Sequence, residues 1–342
     1  LFQENNTDIN QLWEEFKVVF VKFCVSPKLE KILFHFMIAS GLIKIKQRYN
    51  KTYYGYHDTR RRLAWESNLE KIRRHNEEAD KGLHSYYIKD NHLTDMTTQN
   101  YLQKMAKLTK SRHRKVDPEI VGDIFEYLHH IPSEVSWIER GFITPTYNQK
   151  DCGSCYAFSI AGVLQAQIFK QTDKLVPLSE QQIVDCSVPM GNYGCGGGSL
   201  RNTLRYLDKA GGLMTYSDYP YMARQQKCRF DKNRAMVNLT SWAILPARDE
   251  RALEIAVAKI GPIAASINAS PHTFQLYHSG IYDDVACSSN VVNHAMLIVG
   301  YTKNAWILKN WWGSHWGEKG YMKLRRGKNR CGIANYAAYA LV

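Results

Sequence analysis

The residues best suited to chemistry in this sequence are a cysteine, a histidine and an asparagine that lie far apart along the chain. Cys155 follows a glycine–serine pair and opens an apolar run that predicts a helix over residues 156–171. A cysteine attacks as its thiolate, and the positive end of a helix dipole stabilises that anion. His294 is the candidate general base, and Asn310 is a candidate to orient its ring through a side-chain carbonyl. An isolated histidine in an apolar run is nevertheless more often a core residue.

The pair Cys152 and Cys155 leaves three interpretations open at this point: a metal site, a redox pair, or two separate roles. No second Cys-x-x-Cys pair and no His-x-His partner accompanies them, which argues against zinc. We therefore expect no metal, and no motif for a nucleotide cofactor is present either. The other cysteines are dispersed, which indicates disulfides and an oxidising compartment.

The segments that would position these residues differ between the two halves of the region after residue 130. The stretch LSEQQIVDC predicts a helix with Ser179 as its N-cap and Gln182 reaching back in a capping box. The stretch GCGGGS, residues 194–199, predicts a loop because so many glycines disfavour helix and strand alike. Short apolar runs near residues 294–301, 305–310 and 337–342 predict strands. A helical half thus precedes a strand-rich half.

The region before residue 111 has a different character. Residues 53–80 are highly charged and helical in period, and one face of that helix carries Arg61, Trp65, Asn68, Ile72 and Asn76. Such a helix buries little surface alone and needs a partner. The charged, proline-containing segment 111–135 separates this region from the rest.

Composition and charge favour an ordinary globular protein. The chain has 342 residues, of which 44% are hydrophobic and 23% charged. The net charge of +13 is spread along the chain, and its longest basic cluster, residues 110–115, contains no aromatic residue, so we expect no nucleic-acid partner. The apolar segment 18–44 has a longest clean run of residues 32–43, which is too short to cross a bilayer.

Five motifs together resemble the papain family of cysteine proteases, nearest its cathepsin L branch. In chain order they are NQKDCGSCYAFS, LSEQQIVDCS, GCGGG, NHAMLIVGY and WILKNWWGSHWGEKGY, within residues 131–342. The resemblance implies an α+β, papain-like two-lobe fold with a helical lobe and a β-barrel-like lobe. It also implies a cysteine endopeptidase that hydrolyses peptide bonds through an acyl-enzyme.

The resemblance assigns roles to individual residues. Cys155 is implied as the nucleophile and His294 as the acid/base partner, whose ion pair lowers the pKa of the thiol. Asn310 is implied to orient His294 under the shield of Trp312, and Gln149 to form the oxyanion hole with the N–H of Cys155. The implied substrate-binding residues are Gly197, Gly198, Ser199, Leu200, Ala269, Val292, Ala295 and Tyr336. The implied disulfides are Cys152–Cys195, Cys186–Cys228 and Cys287–Cys331, which leave Cys155 for chemistry.

Three residues depart from the family pattern. Tyr156 replaces the usual tryptophan, and Trp311 replaces a serine beside Asn310, where a large ring is expected to tilt the shield. Tyr336 stands where relatives often have a small residue, which predicts a shallow S2 pocket. Trp311 and Tyr156 support the alternative of a catalytically weak homologue that binds peptides or inhibitors. The sequon at Asn268 lies close to the S2 wall, and we expect it to be unmodified.

The same resemblance implies a zymogen. Residues 1–130 are expected to form a helical inhibitory propeptide with an atypical insert at 18–44, and residues 131–342 the papain-like peptidase domain. A second propeptide signature appears as Asn91, Leu93 and Asp95. The expected partners are protein and peptide substrates and the propeptide itself, and the protein is expected to be a lysosomal or extracellular monomer.

Overall fold

The computed structural model describes residues 43, 46–111 and 131–342. The insert 18–44, apart from Ile43, and the connector residues 112–130 lie outside the described residues, as does Cys24. The chain divides into two compact units, residues 1–69 and residues 70–342.

The helices with both ends described are α1 Gly55–Asp80, α2 Thr98–Met105, α3 Cys155–Thr172, α4 Glu180–Cys186, α5 Leu200–Ala210, α6 Glu250–Lys259 and α7 His272–Gln275. The strands are β1 Tyr86–Ile88, β2 Val135–Ser136, β3 Leu213–Met214, β4 Ala235–Val237, β5 Ser241–Ile244, β6 Ile263–Ile267, β7 Tyr277–Tyr282, β8 His294–Tyr301, β9 Ala305–Lys309, β10 Tyr321–Arg325 and β11 Ala337–Leu341. Helices dominate the first half of the region after residue 130 and strands the second, as predicted.

Helix α1 confirms the helical period read from residues 53–80. Trp65, Asn68 and Ile72 are buried on its predicted face, while Arg61 and Asn76 are half-buried. Pairs at i and i+4, such as Arg62 with Glu66 at 2.8 Å, support its exposed side.

Asn91 and Leu93, from the second propeptide signature, are tied to helix α7. The side chain of Asn91 donates to the carbonyl of Gln275 at 3.0 Å, and Gln275 donates in turn to the carbonyl of Leu93 at 2.8 Å. All three residues are buried. These bonds attach the segment before α2 to the region after residue 130.

Helix α3 is the centre of the helical lobe. It begins one residue earlier and ends one residue later than predicted, and every residue from Cys155 to Ile168 is buried. An 18-residue helix that is apolar on all sides suits a core position between other elements.

The capping prediction for α4 is half right. The hydroxyl of Ser179 accepts from the N–H of Gln182 at 2.9 Å, as expected. Gln182 does not reach back, because the N–H of Ser179 already donates to the carbonyl of Met214. The amide of Gln182 instead donates to Tyr206 and Gly212 at 3.0 Å each. The predicted capping box therefore has its first hydrogen bond but lacks the second, from Gln182 back to Ser179.

Nine of the strands, β1 among them, form one mostly antiparallel sheet, while β3 and β4 pair with each other in a separate two-stranded sheet. The order of the larger sheet is β1-β7-β10-β9-β8-β6-β11-β5, with β2 paired to β8. The end strands β1 and β5 do not pair with each other, so the described sheet is open. The expected α+β combination of a helical part and a strand-rich part is confirmed, and the sheet is not a closed barrel, since closure requires the end strands to share hydrogen bonds.

Three disulfides join Cys152 to Cys195, Cys186 to Cys228 and Cys287 to Cys331, the pairs that the resemblance implied. Cys155 is the free cysteine of the described residues. Among the described helices, none is long and apolar enough to cross a membrane.

Candidate active site

Cys155 lies at the first residue of α3, where unpaired backbone N–H groups give the helix its positive end. Its side chain is fully buried. Backbone hydrogen bonds from Ala295 and Lys107 reach its sulfur. Ala295 follows His294 in β8, so the fold brings the start of α3 to the start of β8.

His294 and Asn310 are neighbours because β8 and β9 pair as antiparallel strands. His294 is the first residue of β8, and Asn310 directly follows β9. The Nε2 of His294 lies 2.8 Å from the side-chain oxygen of Asn310, and both residues are completely buried. The amide oxygen can accept only if Nε2 carries the proton, so this bond selects the tautomer with Nδ1 free to act as a base.

The two tryptophans after Asn310 have different roles. Trp312 stacks on the ring of His294, with centroids 4.7 Å apart and planes at 30°. Trp311 points into the core of the helical lobe, where it stacks on Phe158 and donates to the carbonyl of Ala295 at 3.1 Å. Trp312 therefore provides the shield over His294, the ring of Trp311 packs in the core of the helical lobe, and the expectation that Trp311 tilts the shield stays a prediction.

The side-chain amide of Gln149 binds two backbone carbonyls. Its Nε2 donates to the carbonyl of Cys152 at 2.8 Å and to the carbonyl of Met105 at 3.1 Å. Met105 is the last residue of α2, in the region before residue 111. Its carbonyl also interacts with His294. A backbone carbonyl from the front of the chain thus lies against the predicted oxyanion donor.

The residues after Met105 run on through the same site. The N–H of Leu108 donates to the carbonyl of Asn293, and the N–H of Thr109 donates to the carbonyl of Gly198, each at 2.8 Å. Leu108 and Gly198 form a parallel bridge. A Cβ on Gly197 would lie 2.1 Å from the carbonyl of Lys107, and its φ of +116° also favours glycine. We refer to residues 105–109 as the covering segment.

Burial in the covered site disfavours the charged forms of Cys155 and His294. Burial raises the pKa of Cys155 to about 12. Burial also lowers the pKa of His294 to about 4, although the hydrogen bond with Asn310 and the nearby backbone carbonyl of Met105 act in the opposite direction. Both shifts follow from excluding water, which disfavours the charged form of each group. Covering the site therefore works against the expected thiolate–imidazolium pair.

Four of the eight predicted substrate-binding residues line one cavity of about 360 Å³ beside the covering segment: Ser199, Leu200, Val292 and Tyr336. Gly197 and Gly198 contact the segment itself. Ala269 and Ala295 are fully buried and do not line the cavity.

Arg201 was not foreseen in the sequence, and its guanidinium lies 5.6 Å from the centre of the Tyr336 ring. Its position directly after Leu200, a predicted substrate-binding residue, could have indicated that it lies at the cavity. Tyr336 is half-buried and forms part of the cavity wall, which agrees with its predicted position.

Asn268 is almost completely buried, with 3% of its surface exposed. Its Nδ2, the atom to which an N-linked glycan would be attached, donates to the carbonyl of Ser288 at 3.0 Å. Both observations agree with the prediction that this sequon is unmodified. Within residues 43, 46–111 and 131–342, no group of three or more His, Cys, Asp or Glu side chains is placed to hold a metal ion.

Comparison with known proteins found two matching families. Residues 131–341 match the papain family cysteine protease, and residues 45–101 match the cathepsin propeptide inhibitor domain. The chain is 38% identical to human (Homo sapiens) cathepsin L2 over 324 residues, which cover 88% of this chain and 95% of that protein. It is 41% identical to mouse (Mus musculus) cathepsin K over 284 residues, which cover 82% and 85%.

A solved structure has a similar fold along most of the chain. It is the digestive procathepsin L 3 of Tenebrio molitor larval midgut, with a TM-score of 0.79 and 33% identity. The match covers 89% of this chain and 99% of that chain.

Proposed function

The chain belongs to the papain family of cysteine proteases and is a papain-like cysteine endopeptidase, and we propose that Cys155, His294 and Asn310 form its catalytic site. The observation that carries the proposal is the peptide carbonyl of Met105, which Gln149 holds beside His294. A site that binds a peptide carbonyl next to a buried cysteine and a histidine has the parts that acyl transfer requires.

In the proposed reaction, the sulfur of Cys155 attacks the carbonyl carbon of a substrate peptide bond. His294 takes the thiol proton and later delivers it to the leaving amine, so that the C–N bond breaks and a thioester remains. Water, deprotonated by His294, then attacks the thioester, and the proton returns to the sulfur as the acid product leaves. Asn310 keeps the ring of His294 oriented throughout, and Trp312 excludes water from that bond.

Gln149 and the backbone N–H of Cys155 are proposed to stabilise the oxyanion. Negative charge develops on the carbonyl oxygen only as the tetrahedral intermediate forms, so donors placed there lower the barrier more than they strengthen substrate binding. The 3.1 Å bond from Gln149 to Met105 supports this role, since its acceptor is a peptide carbonyl.

The protein is proposed to be made as a zymogen, with residues 1–130 as the inhibitory propeptide and residues 131–342 as the peptidase domain. The covering segment occupies the site through backbone hydrogen bonds to Asn293 and Gly198. Its removal would admit water and substrate, and would allow Cys155 and His294 to form the charged pair. Cleavage is proposed to fall within residues 111–131. The reversed direction of the segment relative to substrate stays a prediction.

Protein and peptide substrates, a monomeric state and a lysosomal or extracellular location are proposed together with this activity. The alternative of a catalytically weak binding homologue has less support, because Trp311 packs in the core of the helical lobe and Trp312 still covers His294.

The experiment that tests the proposal is hydrolysis of small peptide substrates by the recombinant protein after acid incubation with a thiol. Cys155→Ser serves as the matched control, since it changes one atom at the nucleophile. We expect turnover by the parent protein and none by the variant. No turnover by a correctly processed and folded parent protein would instead support the binding homologue.

A further inference from the structure

Tyr221 contributes a hydroxyl group that joins two parts of the candidate site. The residue lies in the loop between β3 and β4 and is half-buried. Its hydroxyl donates to the backbone carbonyl of Gln149 at 2.8 Å. The same oxygen lies 2.6 Å from the hydroxyl of Ser154. A phenol has only one proton to donate, so Ser154 is the donor in this second bond.

The two residues bonded to Tyr221 either carry or adjoin the two proposed oxyanion donors. Gln149 supplies its side-chain amide, and Ser154 precedes the peptide N–H of Cys155 directly in the chain. These donors lie on opposite sides of the disulfide-bonded turn that contains Cys152. The Tyr221 hydroxyl therefore bonds to both sides of this turn and fixes the distance between Gln149 and Ser154.

The backbone of Gln149 is held from two distant segments. Its N–H donates to the carbonyl of Trp311 at 2.7 Å, and its carbonyl accepts from Tyr221. The next residue, Lys150, has a positive φ of 53°, which is unfavourable for a side-chain-bearing residue. A strained loop keeps such a conformation only when its surroundings hold it in place.

The ring of Tyr221 is itself fixed by packing. It meets the ring of Phe158 edge to face, with centroids 4.8 Å apart and planes at 74°. Burial raises the pKa of Tyr221, which keeps the hydroxyl protonated at neutral and acid pH. Tyr221 is thus a rigid donor over this pH range.

We infer that Tyr221 is a positioning residue for the oxyanion hole, which sets the separation of the Gln149 amide and the Cys155 N–H. The inference rests on the proposed function. Tyr221 acts through Gln149 and Ser154 and touches no reacting atom. Its loss should weaken binding of the oxyanion and leave binding of the ground-state peptide almost unchanged.

The test is Tyr221→Phe, which removes one oxygen and retains the ring, compared with the parent protein after processing. The variant loses the hydrogen bonds to both Gln149 and Ser154, and if about one net hydrogen bond of oxyanion stabilisation is lost with them, kcat falls about three- to ten-fold with KM changed less than two-fold. Binding of a peptide aldehyde, which forms a tetrahedral adduct with an oxyanion, should weaken by a similar factor. Alkylation of Cys155 by iodoacetamide should keep its rate, because that displacement forms no oxyanion.

The matched control is Tyr219→Phe, which removes another tyrosine hydroxyl two residues away. That hydroxyl donates to the carboxylate of Asp185 at 2.8 Å and has no bond to Gln149 or Ser154. We expect Tyr219→Phe to change stability without a selective loss in kcat or aldehyde binding. Equal losses in both variants would overturn the inference.

A double variant of Gln149 and Tyr221 tests the inference even if Tyr221→Phe weakens the fold. In a Gln149→Ala background one oxyanion donor is already absent, so Tyr221→Phe should cost less than in the parent protein. Fully additive losses, or unchanged kcat and aldehyde binding in Tyr221→Phe, would refute the positioning role. If Tyr221→Phe does not fold, Ser154→Ala can be tested instead, since it removes the hydrogen bond between Ser154 and Tyr221. We expect this variant to show a smaller loss of kcat and of aldehyde binding. An unchanged kcat in Ser154→Ala would refute the positioning role. Absence of turnover in the parent protein would count against the proposed function instead.

Discussion

The backbone carbonyl of Met105 lies 3.1 Å from the side-chain amide of Gln149, at the position proposed for a substrate oxyanion. The chain thus occupies its own site with a peptide carbonyl. The hydrogen bonds that follow, from Leu108 to Asn293 and from Thr109 to Gly198, use backbone groups on both sides. Latency in this protein therefore depends more on the path of the covering segment than on its side chains.

Latency should be sensitive to the backbone of residue 108. Leu108→Pro removes the N–H that donates to Asn293, and loss of one such bond corresponds to a change of about five-fold in an equilibrium constant. We expect faster conversion of the zymogen at a fixed acid pH, measured by gel densitometry. Leu108→Ala is the control, since it keeps the N–H and shortens only the side chain. Equal conversion rates of the two variants would contradict a backbone role.

Trp311 should matter for stability and little for catalysis. The ring is 1% exposed and packs on Phe158, so Trp311→Ser would leave a cavity that costs about 3–5 kcal/mol of unfolding free energy. Denaturant unfolding would measure this loss, and kcat at a temperature where the variant is folded should change only a few-fold. Trp137→Ser, at a buried position whose indole bonds to Val257, provides a comparison remote from the site. A selective loss of turnover in Trp311→Ser would place Trp311 in the catalytic machinery.

Tyr336 should limit which side chain the S2 pocket accepts. Its ring lines the cavity that also contains Ser199, Leu200 and Val292. Tyr336→Ala is expected to widen acceptance toward leucine and phenylalanine at P2, by about ten-fold in kcat/KM. The measurement is a panel of P2-varied peptide substrates. Tyr336→Phe, which retains the ring, should keep the parent profile, and an unchanged profile in the alanine variant would refute the assignment.

Acid activation should depend on a histidine pair between α1 and β1. The rings of His75 and His84 stack with centroids 4.2 Å apart and planes at 7°. His75 also contacts the carbonyl of Tyr86 at 3.2 Å. The charged and titratable groups facing this pair, or lining the cavity beside it, are Lys71, Arg74, Glu78, His272 and Asp284.

The sign of the effect follows from burial. Burial lowers the pKa of His75 below its usual value of 6.5, with a further lowering from His84. The free form of this segment therefore binds more protons than the packed form, and the packed form loses stability as pH falls below about 6.5. His75→Gln retains a donor for Tyr86 without titrating.

We expect the midpoint pH of processing for His75→Gln to be about half a unit lower than that of the parent protein. The exposed His57, in the same helix, provides the control as His57→Gln. A midpoint for His75→Gln that equals that of the control would assign acid activation to carboxylates alone.

The sequence by itself determined the local features. The apolar period of residues 156–171 predicted α3 to within a residue at each end, and the short apolar runs predicted β8, β9 and β11. Such features depend on neighbours within a few positions, which is why pattern and propensity find them. Residue type and position made Cys155, His294 and Asn310 candidates, but their roles and that of Gln149 came from motif resemblance, because no periodicity indicates a partner more than a hundred residues away.

Only the tertiary structure decided which groups meet. It placed the carbonyl of Met105 at Gln149, bonded the indole of Trp311 to the carbonyl of Ala295, and gave Gln182 the partners Tyr206 and Gly212. It also joined Tyr221 to Gln149, a contact without any local signal. A buried donor or acceptor must find a partner, but which partner is nearest depends on how distant segments pack. That choice is made by the whole fold, and no short stretch of the chain contains it.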